Sequence, residues 1–284
     1  MRGLSRTSAA LTIVNALPTG VGCALGIGRF VTASVEVERG RPFTLDCTPP
    51  ESVTPVVRAS VEAALERFGR GESGRTELRL RSDLPIGKGL KSSSAVSTAA
   101  IRAVARALGE DPLPLVVARI AAEAGRSTGV SATGALDDAL ASLRPGFVVT
   151  DNRTDSLIGE GQPDREWSAV VYLPPGRHPP APGLRARFEA AAAEGREAAT
   201  EALAGRFLEA MRLNTRVVER VLGYDYSALR ERLARAGAVA SGVSGLGPAV
   251  AALVPFERQD AVLSCLPSDP GERFAVPLTW EEAP

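Results

Sequence analysis

Residues 84–98 read LPIGKGLKSSSAVST, and this stretch contains Lys88 and Lys91, the two lysines in a chain of 284 residues. The chain has 33 lysines and arginines in total, so arginine supplies nearly every other cationic side chain. An ammonium is a compact point charge on a flexible stem, whereas a guanidinium is a planar fork, so the two groups are not interchangeable. Apart from chance, the pattern indicates a local requirement for lysine.

The sequence around the two lysines predicts a strand, a glycine-containing loop and a helix. TELRLRS (76–82) is typical of a strand, and the segment from Ser92 onwards places apolar residues on one face at helical spacing. Free backbone N–H groups and the positive end of such a helix form an anion site. A plain helix N-cap is the alternative. A Walker A loop is excluded because Gly89 follows Lys88 and Ser82 replaces its first glycine.

Composition excludes several classes of protein. Hydrophobic residues make up 44% and charged residues 23%, as in an ordinary globular protein, and the formal net charge is zero. A neutral chain lacks a general electrostatic attraction to nucleic acid or anionic membranes, so neither partner is expected. No segment reaches the ~18 apolar residues of a membrane span.

Cysteine and histidine usage limits the chemistry. Cys23, Cys47 and Cys265 are widely separated, which fits a reducing compartment, so we expect a cytoplasmic protein. His178 is the single histidine and lies in a proline-rich turn. This nearly excludes a Ser-His-Asp triad or a histidine metal cluster, so a carboxylate is expected to act as the general base.

Periodicity predicts two lobes. The first fifty residues read as antiparallel strands, and helices are predicted over 55–69, from the serines at 92, over 114–125 and within GALDDALASL. GFVVTDN and WSAVVYLPP read as strands, followed by alanine-rich helices across 184–222 and another at 227–236. A polar, turn-rich region at 151–166 predicts a lobe boundary, which divides the chain into 1–155 and 156–284.

A glycine cluster, TGVGCALGIG (19–28), suggests a dinucleotide-binding loop through Gly20 and Gly22. That fingerprint needs a helix after its loop. The following GRFVTASVEVE instead alternates like a strand. We therefore expect a turn that brings Asn15 and Thr19 to a pocket wall, or a tight β connection.

Two further segments carry candidate site residues. TGALDDALASL (133–143) places Asp137 and Asp138 at the start of a helix, where successive side chains diverge by about 100°, so one acid is free to act while the other caps. The alternative is that both only stabilise the helix dipole. SGVSGLGPAVAAL (241–253) is rich in glycines that permit close backbone approach to a ligand, or it is a plain turn.

The order of three motifs, PIGKGLKSSSA, GALDDALAS and SGLGPAVAAL, resembles the GHMP kinases. The GLKSSSA version, together with the N-terminal TIVNALPTG, resembles the archaeal-type shikimate kinases. The resemblance implies an α+β, two-lobed fold with a ribosomal protein S5 domain 2-like N-terminal lobe and a ferredoxin-like C-terminal lobe. It also implies phosphoryl transfer from ATP to a hydroxyl with Mg²⁺.

The resemblance also assigns roles to residues. Asp137 is the implied base, with Lys91 as a second catalytic residue, and Ser93 and Glu123 are the implied Mg²⁺ ligands. The implied acceptor site consists of Asn15, Thr19, Gly20, Gly134 and Asp137. The implied nucleotide site consists of Pro85, Gly87, Lys88, Gly89, Leu90, Lys91, Ser92, Ser93, Ser94, Ala95, Ser244, Gly245 and Gly247.

The expected reaction is ATP-dependent phosphorylation of shikimate to shikimate 3-phosphate. One position departs from the family pattern: many archaeal-type shikimate kinases carry a lysine where this chain has Val21. This keeps open a kinase for another cyclitol or polyol, or for a homoserine-like acid. A non-catalytic nucleotide-binding protein is the alternative from a different class. Arg29, Arg126 and Arg153 are candidate partners for a substrate carboxylate, and the sequence does not choose among them or fix the oligomeric state.

Overall fold

The structure, a computed structural model, describes residues 1–69, 74–85, 87–164, 166–175 and 183–278. His178 lies outside the described residues. The first sheet contains β1 (Arg2–Val14), β2 (Val21–Arg39), β3 (Thr44–Thr48), β4 (Gly74–Ser82), β5 (Phe147–Asp151) and β6 (Ser156–Gly161). Its strand order is β3-β4-β2-β5-β6, with β1 paired to β2. The β3–β4 pair is parallel and the other pairs are antiparallel.

Four helices belong to the first half of the chain: α1 (Pro55–Phe68), α2 (Ser92–Ala107), α3 (Pro114–Ser127) and α4 (Leu136–Ala141). Helix α2 packs against β1, β2 and the neighbouring helices. Its first residues directly follow residues 87–91, here called the lysine loop, as the sequence predicts. The alanine-rich face of α2 is buried, including Ala99, Ala100 and Ala103, so the start of the helix is held firmly against the sheet.

The second sheet has the order β10-β7-β9-β8 and is antiparallel, with β7 (Trp167–Leu173), β8 (Ala240–Val243), β9 (Val250–Pro255) and β10 (Glu272–Pro277). Between β7 and β8 lie α5 (Leu184–Glu189), α6 (Ala192–Leu203), α7 (Phe207–Leu222) and α8 (Ser227–Ala236), and α9 (Gln259–Ser264) precedes β10. This is the βαββαβ arrangement of a ferredoxin-like lobe. The α+β class predicted from the sequence is confirmed.

The two sheets share one hydrophobic core. Phe207 of α7 stacks on Phe147 of β5 with 5.3 Å between ring centroids, and meets Trp167 of β7 edge-on at 6.4 Å. All three rings are nearly buried and belong to a single continuous cluster. Aromatic pairs of this geometry stabilise a core beyond their buried area. The lobes are therefore joined by packing as well as by the chain.

The structure differs from the sequence prediction at the first glycine cluster. The turn ends at Gly20, and residues 21–28 form the beginning of the long strand β2. Gly22 is required there because a Cβ would lie 2.6 Å from the Asp137 carboxylate, and a Cβ at Gly28 would lie 3.0 Å from Pro277. Close approach, and not a turn, explains these glycines.

Strand β6 shows where the first sheet ends. It pairs with β5 and extends that sheet to Gly161. The two sheets therefore separate within the polar segment 151–166, a few residues later than position 155. No helix among the described residues is both long and apolar enough to cross a bilayer.

We predict that Phe207→Ala lowers the free energy of unfolding by about 3–5 kcal/mol, because it removes a large buried ring from the shared core. Phe256→Ala is the matched control, since that ring is 49% exposed, and we expect it to change stability by less than about 0.5 kcal/mol. Chemical denaturation followed by tryptophan fluorescence measures both. Equal effects of the two variants would contradict a core that joins the sheets.

Candidate active site

The lysine loop reaches α2 through three residues with left-handed backbone. Gly87, Gly89 and Lys91 have φ angles of 71°, 93° and 60°. Leu90, between them, is 1% exposed and anchors the loop in the core. Ser92, Ser93 and Ser94 then form the first turn of α2, with Ser93 exposed. The first-turn N–H groups of a helix have no partner within it, so this end of α2 is suited to an anion.

The glycine-rich turn at residues 244–247, here called the second glycine turn, contacts this loop directly. The Ser244 hydroxyl donates to the Gly89 carbonyl at 2.7 Å and accepts from the Thr12 amide at 3.1 Å. The Ala249 amide donates to the Lys88 carbonyl at 3.1 Å. A Cβ on Gly89 would collide with the carbonyl oxygen of Ser244. The structure thus brings together two segments of the predicted nucleotide site that are about 150 residues apart in sequence.

The predicted acid pair lies at the start of α4, which follows Ala135 in a left-handed conformation with φ of 53°. Asp137 and Asp138 are 4% and 6% exposed. Asp138 Oδ2 lies 3.0 Å from Nζ of Lys91, whereas Asp137 Oδ1 accepts from Nδ2 of Asn152 at 3.2 Å. The two carboxylates therefore have different partners, as their divergence on the helix predicts.

The surroundings of Asp137 set its ionisation. Burial is the main cause that raises its pKa, to about 7, and the charge of Asp138 adds to the effect. Lys91 and the hydrogen bond from Asn152 oppose it. A carboxyl group with a pKa near neutrality can accept a proton efficiently at physiological pH. This is the property expected of the predicted general base.

A cavity of about 750 Å³ has Asn152 in its wall, one hydrogen bond away from this acid, which does not itself line the cavity. It is lined by Thr19 and Gly20 of the N-terminal turn, by Thr133 and by Asn152. Asn152 also connects the wall to the acid, because its Nδ2 lies 3.2 Å from both the Gly20 carbonyl and Asp137 Oδ1. The volume is within the range of small-molecule sites. Thr19 and Gly20 thus line a pocket, whereas Asn15, which was expected beside Thr19, is not part of this wall; the contact of Thr19 and Gly20 with an acceptor stays a prediction.

Two other predicted acceptor residues have structural partners. The Asn15 side chain accepts from the Leu17 amide at 2.9 Å and donates to the Gly245 carbonyl at 3.3 Å, which ties the N-terminal turn to the second glycine turn. Gly134 has φ of 87° and packs against the guanidinium of Arg126, which lines the cavity. Direct contact of Asn15 or Gly134 with an acceptor remains a prediction.

The remaining charged candidates lie in different parts of the molecule. Arg126 and Arg153 line the cavity. Arg29 instead pairs with Glu272 at 2.9 Å and lies over the Phe274 ring, in another part of the molecule. The Glu123 side chain is 70% exposed and pairs with Arg126 at 2.9 Å. Lys88 donates to the Pro174 carbonyl at 3.1 Å, which holds the loop against the end of β7.

Sequence reasoning missed Asn152. It is 6% exposed, and besides its bonds to Asp137 and Gly20 its Oδ1 accepts from the Leu136 amide at 2.7 Å, at the start of α4. One side chain therefore fixes the acid helix, the acid itself and the acceptor turn. The available signal was its place in VVTDN, a polar residue directly after a buried strand.

Two family models match the chain: "GHMP kinases N terminal domain" over residues 56–146 and "GHMP kinases C terminal" over residues 196–272. The mevalonate kinase of Methanococcus jannaschii has a similar fold, with a TM-score of 0.74 at 14% identity over 97% of this chain and 98% of that one. The two family models define the chain as a kinase of the GHMP type, a class that uses ATP.

Comparison with curated sequences identifies the family within the GHMP kinases. The shikimate kinase of Halobacterium salinarum is 35% identical over 95% of this chain and 95% of its own length. That of Pyrococcus furiosus is 36% identical over 89% of this chain and 92% of its own length. The chain belongs to the archaeal-type shikimate kinase family of GHMP kinases.

We predict opposite pH shifts for two variants beside the acid. Asp138→Asn removes a negative neighbour that raises the pKa of Asp137, so the acidic limb of kcat/KM should move to lower pH. Asn152→Ala removes a hydrogen bond that lowers this pKa, so the limb should move to higher pH. Profiles of kcat/KM between pH 5 and 9 measure both shifts. Shifts in the same direction, with the fold intact by circular dichroism, would contradict this arrangement.

Proposed function

We propose that this kinase transfers the γ-phosphoryl group of ATP to the 3-hydroxyl of shikimate. The observation that carries the proposal is the position of Asp137, a buried acid that is hydrogen-bonded to Asn152 in the wall of a cavity lined by hydroxyl and guanidinium groups. The next residue, Asp138, pairs with Lys91 of the lysine loop. The relatives named shikimate kinase, matched over nearly the whole chain, support this choice of acceptor.

In the proposed reaction the acceptor hydroxyl faces Asp137. The carboxylate takes the hydroxyl proton as the oxygen bonds to the γ-phosphorus and the bond from that phosphorus to the leaving oxygen of ADP breaks. Phosphoryl transfer depends mainly on positioning and on charge stabilisation. The N–H groups at the start of α2 would bind phosphate oxygens, and Lys91 would provide a positive charge beside them.

We propose that a magnesium ion is held jointly by this chain and the nucleotide, because a hydroxyl and a carboxylate are exposed at the two positions that the family resemblance implies. Mg²⁺ retains waters and takes one or two carboxylates together with substrate phosphates. Ser93, exposed at the start of α2, and Glu123 are the proposed ligands. When bound, the ion would neutralise charge on the β- and γ-phosphates.

The function is tested by coupled ADP release from the wild-type chain with ATP and Mg²⁺ against shikimate, quinate, homoserine, mevalonate and galactose. We expect the highest kcat/KM with shikimate. Robust release with another member and none with shikimate would keep the kinase and reject the acceptor. Absence of turnover with every member, despite measurable ATP binding, would favour the non-catalytic alternative.

We predict that Asp137→Asn lowers kcat by about 10²-fold or more while ATP affinity is retained, because the amide cannot accept the hydroxyl proton. Asp138→Asn is the matched variant and should retain more of the turnover, since its carboxylate is paired with Lys91. Steady-state kinetics and equilibrium ATP titration measure the two effects. A larger loss of kcat in Asp138→Asn would reverse the assignment of the base.

A further inference from the structure

Among the described residues, four arginine side chains line the cavity that Asn152 links to Asp137: Arg126, Arg153, Arg185 and Arg196. Three of them are already neutralised by carboxylates of the chain. The pairs are Arg126 with Asp155 at 2.7 Å, Arg153 with Asp151 at 3.0 Å and Arg185 with Glu189 at 2.9 Å. A ligand carboxylate at any of these would be repelled by the acid already present.

Arg196 differs from the other three. Its guanidinium has no ion-pair or hydrogen-bond partner among the residues that the structure describes. The sequence explains why, because its neighbours three and four positions away on the helix are Ala192, Ala193, Ala199 and Thr200, which carry no charge. Two acids of the same helix are paired elsewhere, Glu194 with Arg220 and Glu201 with Arg206, and the adjacent Glu197 forms no ion pair with Arg196.

Helix α6 is placed so that Arg196 faces the cavity. Gly195 lets the helix approach the N-terminal turn, since a Cβ there would lie 2.6 Å from Pro18 and 3.2 Å from Thr19. One face of α6, at positions i, i+3, i+4 and i+7, then lines the cavity. Those residues are Arg196, Ala199, Thr200 and Leu203.

The charges and polar groups of the cavity therefore match a polyhydroxylated monocarboxylate. Among the described residues of the wall, one cation lacks a counter-charge, and the hydroxyl-bearing side chains of Thr19, Thr133 and Thr200 also line the cavity. Arginine binds a carboxylate bidentately, which fixes orientation as well as position. We propose that Arg196 binds the carboxylate of the acceptor and so turns the reacting hydroxyl towards Asp137; the identity of that acceptor as shikimate rests on the proposed function.

The test compares shikimate with its uncharged carboxamide by calorimetric titration, so that binding is measured without turnover. Wild type should prefer shikimate, and Arg196→Gln should weaken shikimate roughly 10- to 100-fold, the scale of one charge-assisted pair, while barely affecting the carboxamide. Arg196→Lys should recover part of the preference, because it restores charge without the planar fork. Both replacements are good helix formers on an exposed helix surface, so folding should be retained.

Arg187→Gln is the matched control, because Arg187 is exposed on α5 and is not part of the cavity wall. It should leave shikimate binding and ATP binding unchanged. Kinetics should show the loss in Arg196→Gln as a higher KM for shikimate with an unchanged KM for ATP.

The outcomes separate this inference from the proposed function. An unchanged preference for shikimate over the carboxamide in Arg196→Gln overturns the role of Arg196, whether or not shikimate is turned over. Loss of the preference in Arg196→Gln supports the role of Arg196, even if wild type releases no ADP with shikimate, which would reject only the proposed reaction. A wild type that binds shikimate and the carboxamide equally, or neither, also overturns the inference.

Discussion

The site depends on burying two adjacent carboxylates, Asp137 and Asp138, at the start of one short helix. Burial of charge is costly unless partners compensate it. Lys91 of the lysine loop pairs with Asp138, and Asn152, directly after β5, donates a hydrogen bond to Asp137. The acid pair is therefore stable only when loop, helix and strand meet, which makes the catalytic geometry a consequence of the fold.

Residues from the opposite end of the chain fix the conformation of the lysine loop. Ser244 bridges the Thr12 amide and the Gly89 carbonyl, and Gly245 donates its amide to the Thr12 hydroxyl at 3.0 Å. These bonds join the first strand, the loop and the second lobe. Glycine is needed at 89 because any side chain would meet the Ser244 carbonyl. The two lobes consequently form one site, and neither provides it alone.

The sequence allowed the loop, the helix that follows it and the acid pair to be predicted because each has a local pattern: glycines, serines and apolar residues at helical spacing. Residues 21–28 were expected to form a turn and instead begin β2, because Gly22 meets Asp137 and Gly28 meets Pro277, both more than a hundred residues away in sequence. Asn152 and Arg196 were missed for a related reason. Their roles depend on which partners the fold brings near them, and no local spacing records that.

The fold also explains why lysine persists at position 91. Nζ of Lys91 is enclosed between Asp138 and Gly245, where a Cβ would lie 3.1 Å from it, and the side chain is only 15% exposed. A single compact charge fits this space, whereas a guanidinium fork would need more room. One side chain thus both begins α2 and limits how far the pKa of Asp137 rises.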